Sequence, residues 1–81
     1  MKIQVTQEDI NTGCPKNDTH CPIARALYRL LPEVEEISVG NVRVHLDTKY
    51  VYLPTTAKEF IKQFDEYGYA KPFEFELEIS E

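Results

Sequence analysis

Phe73-Glu74-Phe75-Glu76-Leu77-Glu78-Ile79 alternates apolar and acidic residues without a break. Side chains along a strand point to opposite faces in turn, so Phe73, Phe75, Leu77 and Ile79 take one side and Glu74, Glu76 and Glu78 the other. The three carboxylates then stand in a row at about 6.7 Å intervals. An apolar face this regular needs a partner layer, and the rest of the chain supplies the material for one. Lys2-Ile3-Gln4-Val5 repeats the alternation at the other end, with Ile3 and Val5 facing inward.

Two amphipathic helices lie between these strands. Pro22 suits a first helical position, and Ile23, Ala24, Leu27, Leu30 and Leu31 recur at spacings of three and four, with Arg25, Arg29 and Tyr28 turned away. Leu31-Pro32 ends that helix. The second follows Pro54, with Thr56 and Glu59 as a capping box, Ala57, Phe60, Ile61 and Phe64 as the buried stripe, and Gly68 as the left-handed stop. Thr6-Gln7-Glu8-Asp9 starts a shorter helix that Gly13 is expected to end in the same left-handed way. Gly13 to His20 is a loop.

Between the two main helices three short alternating runs, Ile37 to Val39, Val42 to Leu46 and Tyr50 to Leu53, are joined by Gly40-Asn41 and Asp47-Thr48-Lys49. Connections this short favour an antiparallel meander. The order is β-α-α-β-β-β-α-β, and one sheet offers a face to both helices. The expected fold is therefore α+β, a two-layer sandwich with a mainly antiparallel sheet of about five strands and both main helices on one face. At 81 residues this is one domain.

The uncovered face of that sheet gives the candidate site. Val42, Val44, Leu46, Val51 and Leu53 point toward the helices, which leaves Arg43, His45, Tyr50 and Tyr52 pointing out, beside Lys2, Gln4 and the glutamate row. Such a face is either a solvated antiparallel surface held by cross-strand pairs, the simpler reading, or a protein-binding surface in which tyrosines anchor and carboxylates steer.

Composition narrows the alternatives. With 42% hydrophobic and 28% charged residues the chain has the make-up of a folded soluble domain. A net charge of -5 argues against direct nucleic-acid binding and points to a partner with a basic surface. No run of residues is long and apolar enough for a signal h-region or a membrane span, so the expected location is the cytoplasm. In that compartment Cys14 and Cys21 are expected as free thiols.

Chemistry-bearing constellations are few. Cys14, His20, Cys21 and His45 match the ligand count of a zinc site, but the cysteines stand seven residues apart in sequence and His20 abuts Cys21, a poor fit to zinc-knuckle spacing. Cys21 falls at the start of the Pro22 helix, where free N–H groups favour a thiolate, but the simpler reading is a small buried residue at the helix entry. The neighbouring carboxylates Glu8 with Asp9 and Asp65 with Glu66 lack a paired acid, and no phosphate-cradling glycine loop or G-x-S-x-G turn occurs. No cofactor or catalytic group is therefore expected, and the chain is read as a non-enzyme. A cysteine-centred metal or redox protein is the alternative, and a homodimeric structural or regulatory subunit a third option.

Several short blocks occur in a suggestive order: Val5-Thr6-Gln7-Glu8-Asp9-Ile10, Cys21-Pro22-Ile23-Ala24-Arg25-Ala26-Leu27, Ser38-Val39-Gly40, Leu53-Pro54 with Ala57 and Phe60-Ile61, and Pro72-Phe73-Glu74-Phe75. As a set they resemble a group of small uncharacterised proteins from phages, prophages and bacterial genomes, over nearly the whole chain. That group has no established activity from which a residue's role could be carried over. What the resemblance implies is a mobile-element setting, in which small acidic proteins, anti-CRISPR proteins among them, bind and disable a host factor.

Overall fold

The structure is a computed structural model and describes residues 1–78; Ile79, which the alternation assigns to the apolar face, lies outside the described residues. Its elements are β1 (Lys2–Val5), α1 (Gln7–Thr12), α2 (Pro22–Leu30), β2 (Ile37–Val39), β3 (Arg43–Leu46), β4 (Lys49–Tyr52), α3 (Thr55–Tyr67) and β5 (Phe73–Glu76). The expected α+β order is present, but the single sheet is not. β1 pairs with β5 in a two-stranded antiparallel sheet, and β2-β3-β4 form a separate three-stranded antiparallel sheet.

Helix α2 packs against α1, β1 and β2, so one helix joins both sheets. Ile23, Ala24, Ala26 and Leu27 are fully buried on it. Helix α3 meets the β1–β5 sheet through aromatic rings, with Phe60 stacked 4.4 Å from Phe73, and Phe73 5.4 Å from Phe75. The core gathers Ile3, Val5, Val44, Leu46, Phe64, Phe75 and Leu77 into the same cluster. Residues from the two ends of the chain and from the central meander thus share one interior.

Three local expectations need correction. Gly13 is not a left-handed stop: its φ of -76° and ψ of 156° are extended backbone. A Cβ there would lie 2.7 Å from the Pro22 ring and 2.8 Å from the Asp9 carbonyl oxygen, so glycine is required because the end of α1 presses on the start of α2. Thr56 and Glu59 do not form the capping box, because α3 starts two residues earlier with Pro54 at the cap position and no side-chain cap. The capping box is instead on α1, where Thr6 Oγ1 accepts from the Asp9 N–H at 3.2 Å and Asp9 Oδ2 accepts from the Thr6 N–H at 2.9 Å. Val42 does not join the core either. It is 54% exposed, since β3 begins only at Arg43 and Val42 belongs to the turn that enters it. Gly68, by contrast, ends α3 in the left-handed conformation expected of it, with φ 78°.

Candidate functional site

The outer face of the three-stranded sheet is built by register. Arg43 stands opposite Tyr52 and His45 opposite Tyr50, while Val44 and Leu46 point to the core from the same strand. The two-residue turn Asp47-Thr48 sets that register. Asp47 takes a positive φ of 56°, a conformation aspartate tolerates better than most residues, and its Oδ1 accepts from the Glu36 N–H at 2.8 Å.

Alternation thus brings Arg43, His45, Tyr50 and Tyr52 to one surface, and their rings and charge touch. Tyr50 and Tyr52 meet edge to face at 5.5 Å, the His45 ring lies 5.9 Å from Tyr50, and the Arg43 guanidinium sits 4.9 Å from the Tyr50 ring centre. Edge-to-face rings and a cation over a ring face are both favourable, at roughly 0.5–1.5 and 0.5–1 kcal/mol at an exposed site. Each contact also restricts rotamers before any ligand arrives. The tyrosines nevertheless remain 50% and 61% exposed. A groove of about 520 Å3 runs along one side of the cluster, lined by Asp18, Ser38, Val42, Arg43 and His45 among others. Ser38 Oγ donates to Asp18 Oδ2 at 3.0 Å, which ties the 13–20 loop to the edge of this face.

The glutamate row lies on the other sheet. Because β5 pairs with β1, Lys2 Nζ reaches Glu74 at 3.8 Å and the Met1 amino group reaches Glu76 at 3.3 Å. Glu78 is exposed beyond the end of β5. Two of the three carboxylates therefore have cationic partners within the fold. The expectation of one continuous face carrying tyrosines and glutamates together is corrected accordingly: among the described residues no ladder joins the two sheets.

The cysteines part company. Cys14 is exposed, with its N–H donating to the His20 carbonyl at 2.8 Å, whereas Cys21 is buried at the cap of α2, its Sγ accepting from the Ala24 N–H at 3.4 Å. Burial pushes the Cys21 thiol up, outweighing the lowering by the Ala24 and Ile23 N–H groups, and Asp65 and Asp18 add to the rise. The favoured species at neutral pH is the thiol, as the reading of a small buried helix-entry residue requires. His20 is exposed and its Nδ1 lies 2.8 Å from Thr19 Oγ1. Among the described residues no group of three or more His, Cys, Asp or Glu is placed to hold a metal ion.

Two polar side chains have structural roles that the sequence reading missed. Arg29, taken as surface charge, donates through Nη2 to Asp9 Oδ2 at 2.8 Å and to the Gln4 carbonyl at 3.0 Å. Tyr28 places its hydroxyl on β2, donating to the Ile37 carbonyl at 3.3 Å and accepting from the Ile37 N–H at 3.0 Å. Both contacts are made across the chain by α2, and only the N-terminal Thr6 and Asp9 pattern signals that Asp9 has a fixed place.

Among the described residues no helix is long and apolar enough to cross a membrane. In comparisons with known proteins the chain matches no family model, no curated protein and no solved structure.

Proposed function

We propose that this chain is a small non-enzymatic interaction protein that docks on a protein partner through Arg43, His45, Tyr50 and Tyr52. The observation that carries the reading is the contact cluster across one ladder, with Arg43 and His45 of β3 both against Tyr50 of an exposed tyrosine pair. Tyrosine and arginine are enriched in binding hot spots; tyrosine brings large contact area with few free torsions, and the arginine fork is held here over the Tyr50 ring. The net charge of -5 steers the chain toward a basic surface, with the glutamates of β5 contributing to the field rather than to the docked contact.

The resemblance to small phage and prophage proteins supports a more specific reading: an inhibitor of the anti-CRISPR kind, acting in the host cytoplasm on a nucleic-acid-handling or defence complex. Proteins that grip phosphates present the basic surface that an acidic inhibitor needs. A cysteine-centred metal or redox function draws less support, because Cys21 is buried as a neutral thiol while Cys14 is exposed.

Capture from host extract tests the proposal. Compared with wild type, Tyr50→Ala/Tyr52→Ala is expected to lose the specifically retained partner. Glu74→Ala/Glu76→Ala/Glu78→Ala is expected to keep it, with weaker recovery as salt rises. Retention of the same partner by the tyrosine variant, with its fold intact by circular dichroism, would exclude the sheet face as the docking surface.

A further inference from the structure

The four outer strand edges of this fold are treated differently, and one is left bare. On β2 the N–H and C=O groups of Ile37 face away from β3, and both are taken by the Tyr28 hydroxyl; the next outward N–H, that of Val39, donates to the Asp18 carbonyl at 2.7 Å. On β1 the outward Gln4 carbonyl accepts from Arg29. On β5 the outward residues are Glu74 and Glu76, and a second β5 laid antiparallel would set glutamate opposite glutamate, a like-charge pairing that opposes strand addition.

β4 has none of these devices. Leu53 N–H donates to the Val42 carbonyl, so in this ladder Val51 bonds Val44 and the backbone groups of Tyr50 and Tyr52 point to the free side. Among the described residues no hydrogen bond reaches the N–H or C=O of either tyrosine. The outward residues are uncharged, and Val51 between them is only half-buried.

We infer that β4 is a self-association edge whose occupant is β4 of a second copy of this chain. A two-fold axis at Val51 places Tyr50 opposite Tyr52 of the partner subunit, and the converse, in two hydrogen-bonded pairs that together make four backbone hydrogen bonds. Val51 meets its own copy at the closer, non-hydrogen-bonded position. The two three-stranded sheets become one of six strands. Across it runs the row Arg43, Tyr52, Tyr50 of the partner subunit and His45 of the partner subunit, which doubles the aromatic surface and leaves its outer face open. Self-pairing fits this edge electrostatically because no charge is opposed at the two-fold. An interface of one strand is small, so the association is weak, on the order of micromolar to millimolar. Each copy carries a charge of -5, so added salt should strengthen the dimer by screening their repulsion. That dependence is opposite in sign to the one expected for a basic partner, so the self-association stands or falls separately from the proposed function.

Equilibrium sedimentation over a wide concentration range, at low and high salt, provides the test. Wild type should rise from the 9.4 kDa monomer toward twice that mass, and more readily at high salt. Tyr50→Glu/Tyr52→Glu and Tyr50→Lys/Tyr52→Lys should each remain monomeric, because like charges then oppose each other across the axis. An equimolar mixture of the two should recover the dimer, a result that misfolding cannot produce. A wild type that stays monomeric throughout, double variants that dimerise as wild type does, or a mixture that stays monomeric would each overturn the inference.

Discussion

Leu27→Ala is expected to lower the unfolding free energy by about 3 kcal/mol, within the range of about 2–5 kcal/mol for truncating a buried leucine. Leu27 is fully buried on the helix that contacts β1 and β2, so a cavity there loosens a helix that packs on both sheets. A domain of 81 residues has roughly 4–12 kcal/mol in total at typical values per residue. The variant should therefore lose roughly a quarter to three quarters of its stability, with a melting temperature lower by more than about 10 °C. Chemical and thermal denaturation followed by circular dichroism measure the two quantities in turn. A loss below about 1 kcal/mol would mean that α2 does not hold the two sheets together.

Arg29→Ala is expected to cost about 2–3 kcal/mol, more than an exposed arginine normally contributes. Its partner Asp9 has a side chain only 9% exposed, and truncation leaves that carboxylate with the Thr6 N–H alone. Breaking a fully buried pair costs about 3–5 kcal/mol, but Arg29 is itself 46% exposed and water screens part of the interaction, which sets the lower figure. The Gln4 carbonyl loses its donor in the same step. In a double-mutant cycle with Asp9→Asn, the two substitutions should couple by at least about 1 kcal/mol. Strict additivity would show that the pair contributes nothing beyond its separate parts.

The order of elements and the direction of most side chains were legible because both follow from short-range rules. Periodicity placed Ile23, Leu27, Phe60 and Phe64 inside, and alternation turned Arg43, His45, Tyr50 and Tyr52 out, as the structure has them. Alternation gives each residue its face but carries nothing about which strand lies beside it. For that reason the split into two sheets could not be read. Nor could the pairing of β5 with β1, from which Glu74 and Glu76 acquire their cations. The Tyr28 hydroxyl on β2 and the Arg29 contact with Asp9 escaped for a related cause, since each depends on how α2 is set against elements distant in sequence. Gly13 misled in another way. Its position suggested a helix stop, whereas its role is steric and visible only once Pro22 is seen against it.

For the interaction face itself, tyrosine chemistry offers a direct readout with controls inside the same molecule. Tyr50, Tyr52, Tyr67 and Tyr69 are 50%, 61%, 63% and 68% exposed, so all four should react at comparable rates in the free protein. Pairing at the β4 edge would set Tyr50 and Tyr52 beside the tyrosines of a second copy, so dilute protein, below the range of self-association, is the proper reference. The decisive measurement is mass-spectrometric mapping of tyrosine modification, free and in the captured complex. Selective protection of Tyr50 and Tyr52, with Tyr67 and Tyr69 as reactive as before, is the expected result. Unchanged reactivity at Tyr50 and Tyr52 in a complex that protects Tyr67 and Tyr69 would place the docking surface elsewhere and contradict the assignment.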